Sequence, residues 1–430
     1  MADAATRLAH LTEDLLGSPL PLRLRAWDGS EAGPADGGPV LVVRDRRALR
    51  RMIWKPGELG LARAWVAGEL DVEGDLYEAL DRLSGLLWER DGPGGLLASA
   101  RDPRLRAAAG ALLRLAGPLP PPKPPAEEAR GHGGGLHSRR SDRQAISHHY
   151  DVGNDFYALV LGPSMVYSCA RWTDGGTLEE AQRDKLDLVA RKLALGEGDR
   201  LLDVGCGWGS MAIHAAREYG ARVVGITLSR EQAAFARKRI AQEGLTDRIE
   251  IRVQDYRDVS DGPFDAISSI GMAEHVGAVR YREYADLLYG LLKPGGRLLN
   301  HQISRRPEPD EGAYHVDPFI DAYVFPGGEL APMGRTLTTL EDAGFEVRDV
   351  EALREHYALT LRRWVGNLEA EWDRAVRLTS PGRARIWRLY MAASAVSFER
   401  NRIGVNQFLA VRTPVSGTSG LPLRSREWTE

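Results

Sequence analysis

Between residues 200 and 303, short apolar runs alternate with longer stretches of mixed polarity. The apolar runs have the length of a β-strand and span residues 201–205, 223–226, 249–255, 264–270 and 297–303. The stretches between them have the length of a helix and span residues 210–219, 230–243 and 280–292. Strict alternation of strands and helices predicts an α/β fold, with a doubly wound parallel sheet covered by helices on both faces.

Shorter elements are predicted on both sides of this sheet. Helical spacing and strand-like alternation predict a smaller α+β domain in the first hundred residues, over 4–16, 22–27, 40–43 and 76–87. Beyond residue 359, helical spacing predicts one amphipathic helix over 361–376 and another over 384–399, separated by Pro381. These helices are expected as C-terminal additions to the sheet.

A proline-rich and glycine-rich segment separates the two patterns. Residues 117–137 contain six prolines followed by a run of glycines, which sustains neither helix nor strand and predicts a linker. The predicted organisation is an N-terminal, lipid- or membrane-associating domain, a linker, a catalytic domain and a tail, over residues 1–115, 116–140, 141–415 and 416–430.

The region around this linker is basic. Residues 101–147 carry nine Arg or Lys against four Asp or Glu, on a chain whose formal net charge is −3. One interpretation is a solvated flank of the linker. The other is an electrostatic contact with anionic lipid headgroups, to which each basic group near the surface contributes about 1 kcal/mol.

Composition excludes several classes of protein. With 43% hydrophobic and 27% charged residues, the chain is neither disordered, collagenous nor a disulfide scaffold. The slightly negative net charge argues against a nucleic-acid binder. The two cysteines, Cys169 and Cys206, suit a reducing compartment. We expect neither a transmembrane segment nor a signal peptide, because no apolar run reaches about 20 residues and the N-terminal apolar pattern contains Asp and Glu.

Glycines follow the first strand of the predicted sheet and precede a helix that opens at Ser210. They are Gly205, Gly207 and Gly209, and bare backbone at this place lets a ligand approach the helix N-terminus. The spacing is G-x-G-x-G, and Ser210 stands where a dinucleotide-binding loop has its third glycine. Together with Asp203 inside the strand, this pattern resembles the glycine loop of S-adenosylmethionine (SAM) methyltransferases, whose sheet is Rossmann-like.

Two further segments match this resemblance at the expected intervals. Residues 225–232 (GITLSREQ) end the second strand, where the ribose is held, and Asp255-Tyr256-Arg257 follows the third, where adenine lies. The second strand ends in Thr227 rather than an acid, so Gln232 would hold the ribose. The resemblance implies SAM contacts from Tyr167, Ser168, Asp203, Gly205, Gly207, Gly209, Thr227, Leu228, Gln232, Asp255 and Tyr256.

Motifs outside the SAM segments define a narrower family. They are HYDVGNDF, MVYSCA, GMAEHVG, NHQI and EHY, at residues 149–156, 165–170, 271–277, 300–303 and 355–357. Together they resemble the cyclopropane-fatty-acyl-phospholipid synthases over residues 140–412. A fainter resemblance covers the first hundred residues, through 59–65 and 68–70.

This resemblance implies a reaction and a second bound group. In the family a bicarbonate ion is surrounded by residues that here are Cys169, Glu274, His301, Ile303 (through its backbone) and Tyr357. SAM would methylate a cis alkene, leaving a carbocation that must be shielded from water and can be stabilised by aromatic faces. The bicarbonate would then serve as the base. Which proton is lost decides between a cyclopropane and a methylene branch, and the branch would need a separate reductase.

Several of these residues also have a structural interpretation. Cys169 could fill the core, His301 could be a satisfied buried histidine, and helix packing could explain Tyr357. An unpaired buried carboxylate at Glu274 is harder to explain in this way, because its burial is costly. The stripe of Trp364, Leu368 and Trp372 could be core or could line an acyl tunnel. No metal site is predicted.

Two residues beside the expected base depart from the family pattern. Ala273 stands where a bulkier apolar or aromatic side chain is expected, and Gln302 where threonine is usual. Both departures leave open a methyl-branching, tuberculostearate-type relative. The N-terminal domain argues against the shorter mycolic-acid-modifying relatives, which lack it, and favours membrane phospholipid as the substrate.

The leading hypothesis is a cytoplasmic enzyme, peripheral at the inner membrane face, that methylates unsaturated phospholipid acyl chains with SAM. A small-molecule methyltransferase and a non-catalytic lipid-binding protein are the alternatives. The sequence leaves the oligomeric state open, a homodimer included, and fixes neither double-bond position nor headgroup.

Overall fold

The computed structural model describes residues 3–88, 103–117, 120–129, 139, 152–424 and 426–427. The chain forms two compact units. The first unit comprises Met1–Arg130, Asp317–Val324 and Thr379–Val396. The second comprises Gly131–Val316, Phe325–Leu378 and Ser397–Glu430.

The secondary structure is labelled here in chain order. The α-helices of the described residues are α1 Ala4–Leu16, α2 Arg47–Trp54, α3 Glu58–Val66, α4 Leu76–Trp88, α5 Pro103–Ala116, α6 Asn154–Leu161, α7 Leu178–Lys192, α8 Ser210–Tyr219, α9 Arg230–Gln242, α10 Ala273–Val276, α11 Tyr281–Leu291, α12 Pro318–Tyr323, α13 Met333–Asp342, α14 Arg354–Ala370, α15 Trp372–Leu378 and α16 Pro381–Glu399. The strands are β1 Arg23–Arg25, β2 Glu31–Ala32, β3 Val40–Val43, β4 Leu70–Glu73, β5 Arg200–Val204, β6 Arg222–Thr227, β7 Ile249–Val253, β8 Phe264–Ile270, β9 Leu292–Arg305, β10 Ala331–Pro332, β11 Glu346–Ala352 and β12 Ile403–Val411.

The first unit is the α+β domain expected from the sequence. Its four-stranded sheet has the order β2-β1-β3-β4, in which β1 and β3 are parallel and the other pairs antiparallel. Helix α1 begins after Asp3, whose side chain accepts the Thr6 amide, and ends at Gly17 in the left-handed conformation. Apolar side chains of the helices and the sheet bury one core, which includes Leu8, Leu22, Leu24, Val43 and Leu49.

Part of the predicted linker packs into this first unit. Residues 120–129 form neither helix nor strand, as their prolines predict. They are nevertheless held firmly, because Arg51 donates to the Lys123 carbonyl at 2.8 Å and Arg63 pairs with Glu128. Tyr323, in α12, also donates to Glu128, at 2.9 Å.

The unit boundaries differ from the predicted domains. Residues 317–324 and 379–396, predicted as parts of the catalytic domain, belong to the first unit. Glu127 and Glu128 help to hold both segments, since Ser380 donates to Glu127 and Tyr323 to Glu128. These long-range contacts gave no local signal in the sequence.

The second unit contains the doubly wound sheet, which confirms the predicted α/β fold class. The strand order is β11-β12-β9-β8-β5-β6-β7, with β10 paired to β9. The five strands predicted from the apolar runs, β5 to β9, are all parallel. Strands β11 and β12 were not predicted, and β12 runs antiparallel to both of its neighbours.

The C-terminal helices also differ in detail from the prediction. The expected single helix over 361–376 is wrong, because α14 ends at Ala370 and α15 begins at Trp372. Pro381 starts α16 rather than merely separating two helices, as suits a residue that lacks an amide donor. Within the described residues, no helix is both long and apolar enough to cross a bilayer.

The parallel sheet brings the predicted site residues to one edge. Asp203 lies in β5, Thr227 ends β6, Gly271 follows β8 and His301 lies in β9. The carboxyl ends of parallel strands meet at the same edge, which is where α/β sheets bind their ligands.

Candidate active site

The glycine loop after β5 has the backbone conformation that only glycine adopts easily. Gly205, Gly207 and Gly209 have φ of 76°, 53° and 82°. A Cβ atom at Gly205 would come within 2.4 Å of the Met272 sulfur, so this glycine allows close packing. A Cβ atom at Gly207 would meet no protein atom within 4 Å. Gly207 therefore exposes bare backbone to the space beside the loop.

That space is a cleft of about 1160 Å³, part of it open to solvent. Nine of the eleven predicted SAM contacts line it: Tyr167, Ser168, Asp203, Gly205, Gly207, Thr227, Leu228, Gln232 and Tyr256. Gly209 and Asp255 are not among the lining residues. Residues that the sequence analysis did not single out also line the cleft, including Lys185, Trp208, Gln254, Met272 and His275.

Thr227 and Gln232 act as a pair at the end of β6. The Thr227 hydroxyl donates to the Gln232 side-chain oxygen at 2.9 Å. This bond occupies the oxygen end of the amide and leaves the nitrogen end to donate to a ligand. Gln232 is held at the start of α9 by the Ser229 cap, which accepts the Gln232 backbone amide. The arrangement suits the ribose contact expected of Gln232.

Asp255 is held differently from the expectation. Its carboxylate accepts from the Arg257 side chain at 2.7 and 2.8 Å and from the Arg257 amide at 3.0 Å. Burial alone would raise the pKa of Asp255, but these hydrogen bonds from Arg257 keep it below its usual value. Of the two residues expected beside adenine, Tyr256 lines the cleft and Asp255 does not.

A buried lysine, Lys185, also lines the cleft. Lys185 is 1% exposed, and its ammonium donates to the Ser168 hydroxyl at 3.0 Å. Burial lowers the pKa of Lys185 to about 8 and raises that of Asp203 to about 6. Ser268 donates to one Asp203 oxygen, and the other has no hydrogen-bond partner among the described residues. Such an oxygen fits a cationic or hydrogen-bond-donating ligand.

Glu274 lies one turn beyond the end of β8, in the short helix α10. One carboxylate oxygen accepts the Ile303 amide at 2.7 Å, and the other has no hydrogen-bond partner in the described part of the chain. Burial raises the pKa of Glu274 to about 7, although the Ile303 hydrogen bond opposes this shift. The carboxyl group is therefore poised to exchange a proton near neutral pH.

His301 lies in β9, two residues before Ile303, and is 2% exposed. Its Nδ1 contacts the Gln407 amide nitrogen at 3.3 Å, whereas Nε2 has no partner within the described ranges. Burial, with smaller effects of Lys185 and Lys192, lowers the pKa of His301 to about 3. Among the described residues His301 is therefore not fully satisfied, which counts against the structural interpretation of this histidine.

Cys169 and Tyr357 are joined to this region through the backbone at Leu353. The Cys169 thiol donates to the Leu353 carbonyl at 3.5 Å, and the Tyr357 amide bonds to the same carbonyl at 3.1 Å. The Leu353 amide in turn bonds to Val405, which is paired with Ile303. Burial raises the pKa of the Cys169 thiol, so this group is neutral rather than a thiolate nucleophile.

A continuous row of aromatic rings runs from the glycine loop to Tyr357. Successive ring centroids lie 4.6 to 6.0 Å apart along Trp208, Tyr157, Tyr167, Trp364 and Tyr357. Trp364 and Leu368 are fully buried, so this part of the predicted stripe is core rather than an open tunnel. Of this row, Trp208 and Tyr167 line the cleft, where the face of an aromatic ring can stabilise a cation.

The two departures from the family pattern meet in a second cavity beside Glu274. Ala273 and Gln302 line it together with Tyr281, Ile303 and Thr336. The Gln302 side chain makes three hydrogen bonds, since it accepts from Tyr281 and Asn300 and donates to Thr336. Residues 149–151 of the HYDVGNDF motif lie outside the described residues, as do residues 101–102, 118–119, 130–138 and 140–147 of the basic stretch.

Comparison with known proteins gives three kinds of match. The family model of mycolic acid cyclopropane synthetase matches residues 137–408. The chain is 44% identical over 415 residues to the probable fatty acid methyltransferase Rv3720 of Mycobacterium tuberculosis, with 94% of each chain covered. It is 32% identical to the tuberculostearic acid methyltransferase UfaA1 of the same organism, with 96% of this chain and 92% of that one covered.

Among solved structures, the mycolic acid cyclopropane synthase CmaA1 in complex with SAH and CTAB matches the chain with a TM-score of 0.59. The identity is 35%, and the match covers 63% of this chain and 98% of that one.

The open side of Gly207 predicts a selective loss of SAM affinity. We expect Gly207→Ala to weaken SAM binding at least tenfold in calorimetric titration, a loss of about 1.4 kcal/mol, because the methyl group projects into the cleft. The matched control is Gly198→Ala, since Gly198 has φ of 83°, open space where a Cβ atom would lie and no place in the cleft. Equal affinities in the two variants would contradict this assignment.

The raised pKa of Glu274 predicts a pH-dependent stability. An exposed glutamate titrates near 4.5, so the unfolded chain releases this proton at a lower pH than the folded chain, and the folded state loses stability as the pH rises towards 7. Relative to the wild type, Glu274→Gln should gain about 2 kcal/mol between pH 5 and pH 8 in bicarbonate-free buffer.

The measurement is urea unfolding of both proteins at the two pH values. Glu283→Gln, at a side chain that is 54% exposed, is the control and should show no comparable gain. A stability difference between Glu274→Gln and the wild type that stays constant with pH would refute the burial argument.

Proposed function

Since the chain belongs to the mycolic acid cyclopropane synthetase family, as its motifs implied, and is a SAM-dependent methyltransferase, we propose that it methylates the cis double bond of unsaturated phospholipid acyl chains. The observation that carries the proposal is the pair of buried polar atoms without a partner among the described residues, Glu274 Oε2 and His301 Nε2. An ordinary methyl transfer to nitrogen or oxygen has no need of a second buried site of this kind.

The cleft residues fit SAM. When bound, SAM supplies an electrophilic methyl group on a sulfonium centre. Gly207 offers bare backbone to the ligand, Gln232 offers its amide nitrogen, and Asp203 has a carboxylate oxygen that no described residue engages. Tyr167 and Ser168 line the same cleft. These residues would bind and orient the donor close to the alkene, as a weak nucleophile requires.

The second group of residues fits a small oxyanion such as bicarbonate. His301 offers a ring nitrogen, and Glu274 offers a carboxyl oxygen that can donate or accept near neutral pH. Ile303 contributes through its amide, which fixes the Glu274 carboxylate. Cys169 and Tyr357 complete the site through the shared Leu353 backbone. Their role is to hold the base and exclude water while the proton leaves the substrate.

The product depends on the fate of the cation formed when the alkene gains a methyl group. Loss of a proton from the new methyl closes a cyclopropane ring. The proton that is lost does not by itself decide the product, contrary to the expectation from the sequence, because a methylene branch also forms by loss of a methyl proton. That loss follows a hydride shift from the methylated carbon to its cationic neighbour. The similarity to a tuberculostearic acid methyltransferase along 96% of this chain favours the branched product, whereas the match to CmaA1 favours the ring.

The first unit offers a surface suited to lipid. Trp54 and Leu113 are 58% and 50% exposed and line one groove with Ile53 and Arg50. Lys55, next to Trp54, is also exposed. Tryptophan prefers the headgroup level of a membrane, and basic side chains are attracted to anionic lipid. We therefore infer that this groove docks on the membrane surface, which would make the protein peripheral.

Turnover should require an unsaturated lipid. We expect SAM consumption with vesicles of a monounsaturated phospholipid and none with matched saturated vesicles, because only the former offers an alkene. Glu274→Gln should lose activity by about 10²-fold or more while retaining SAM affinity. Turnover without lipid would favour the small-molecule methyltransferase, and SAM binding without any turnover would favour the lipid-binding protein. Mass spectrometry after chemical derivatisation separates ring from methylene products, which have equal mass.

The exposed groove predicts that Trp54 contributes to the binding of anionic vesicles. Trp54→Ser should raise the concentration of anionic vesicles needed for half-maximal turnover about tenfold, as expected for a loss of roughly 1.4 kcal/mol in membrane affinity, without changing SAM affinity. Leu359→Ser is the control, because Leu359 is similarly exposed, at 48%, but lies in α14 of the second unit. If both variants shift vesicle dependence alike, the groove is not the docking surface.

A further inference from the structure

A row of hydrogen bonds leads from a buried ion cluster to His301. Lys192 is fully buried, and its ammonium lies 2.5 Å from Glu351 and 3.4 Å from Asp349. The same ammonium donates to the Gln407 side-chain oxygen at 2.9 Å. The Gln407 nitrogen lies 3.3 Å from Nδ1 of His301. Strands β9 and β12 place Gln407 and His301 opposite each other.

The ammonium group of Lys192 determines which groups donate and which accept along this row of hydrogen bonds. An ammonium group only donates hydrogen bonds, so it must face the oxygen of the Gln407 amide. The amide nitrogen then faces His301, and because an NH₂ group only donates, Nδ1 of the imidazole must accept. A ring nitrogen that accepts carries no proton. The imidazole is therefore in the tautomer with its proton on Nε2.

The surroundings also keep the ring neutral. Burial lowers the pKa of His301, and Lys185 and Lys192 act in the same direction. A neutral ring in this tautomer presents an Nε2–H donor. That donor is buried and has no acceptor among the described residues. A buried donor without an acceptor is costly, so a bound group with an acceptor oxygen is expected at this place.

We propose that Lys192 and Gln407 are positioning residues that fix His301 as an Nε2–H donor to a bound oxyanion. This inference rests on the proposed function and deepens it, because it divides the roles within the second site. His301 holds the anion and takes no proton from the substrate. The anion itself and Glu274 accept and pass on the substrate proton instead.

The ion cluster makes this arrangement rigid. Lys192 is placed between two carboxylates, and Asp349 has a second partner in Arg426 at 2.9 Å. Breaking a buried ion pair by removing one partner is strongly unfavourable. The Lys192 ammonium therefore stays in place, and with it the orientation of the Gln407 amide.

The tautomer can be measured directly by NMR of protein labelled with ¹⁵N-histidine. The chain has ten histidines, and the His301 signals are identified by their loss in His301→Asn. We expect a pyridine-type Nδ1 and a pyrrole-type Nε2 over the neutral pH range. We also expect the Nε2 proton signal to shift when bicarbonate is added. A pyrrole-type Nδ1 in the wild-type protein would overturn the proposal, whatever the enzyme's activity.

Gln407→Glu tests the positioning role. A carboxylate paired with Lys192 can only accept, so it should draw the proton to Nδ1 and leave Nε2 without one. We expect the two nitrogen signals to exchange character and kcat to fall about 100-fold or more, since a wrong histidine tautomer costs on the order of 10⁴ in kcat elsewhere. SAM affinity should be unchanged.

The matched control is Asn406→Asp, the same amide-to-acid change one residue away. Asn406 donates to Ser304 at 2.6 Å, away from His301, so this variant should keep the wild-type tautomer. If Gln407→Glu keeps the wild-type tautomer, or loses no more activity than Asn406→Asp, the positioning role is refuted. The tautomer is read without turnover, so a wrong lipid substrate would leave this result intact, and failure of the two proposals remains distinguishable.

Discussion

The hydrogen bond from the Ile303 amide to Glu274 joins the two halves of the site. Glu274 follows β8, on the side of the SAM cleft, whereas Ile303 shares β9 with His301. A strand amide that bonds to a carboxylate is withdrawn from the sheet ladder, so the bond ties the short helix α10 directly to β9. It also leaves only one carboxylate oxygen for chemistry. This contact therefore fixes Glu274 relative to the strand that carries His301.

Burial shifts the pKa values of the polar groups in the site, and burying such groups is also energetically costly. Burial shields these groups from water and shifts each pKa in the direction that favours the neutral form. The groups are Lys185, Asp203, Glu274 and His301. At neutral pH the Lys185 ammonium and the Asp203 carboxylate stay largely charged, because their pKa values lie near 8 and 6, whereas His301 is neutral. In the proposed function, these fixed dipoles and charges hold the anion and the cationic methyl donor. Such preorganised dipoles act more strongly in a dry cavity than in water.

The sequence predicted the parts of this molecule that rest on local patterns. Continuous apolar runs identified β5 to β9, and the glycine spacing identified the loop at Gly205. Strand β11 was missed because its side chains are mostly partly exposed and give no apolar run, and the antiparallel partner β12 follows the last predicted helix. Lys185 and Lys192 occupy the buried face of α7, where polar residues are not expected. Two lysines seven residues apart on a helix face that is otherwise apolar except for Gln182 were the available signal.

The hydrogen bonds of Asp255 could not be predicted from its position in the sequence, although Arg257, which donates to its carboxylate, lies only two residues away. In the proposed mechanism, the choice of product also depends on a competition between two fates of the cation. The cation can lose a methyl proton at once, or it can first undergo a hydride shift. A base held rigidly beside the methyl favours immediate loss, and a base set further away gives the shift time to occur. Ala273 and Gln302 line the cavity that Glu274 also lines and not the SAM cleft, so in the proposed mechanism a smaller wall there would affect the placement of the base rather than that of SAM. The product would then be decided by the support of Glu274 and His301, not by the methyl-transfer step.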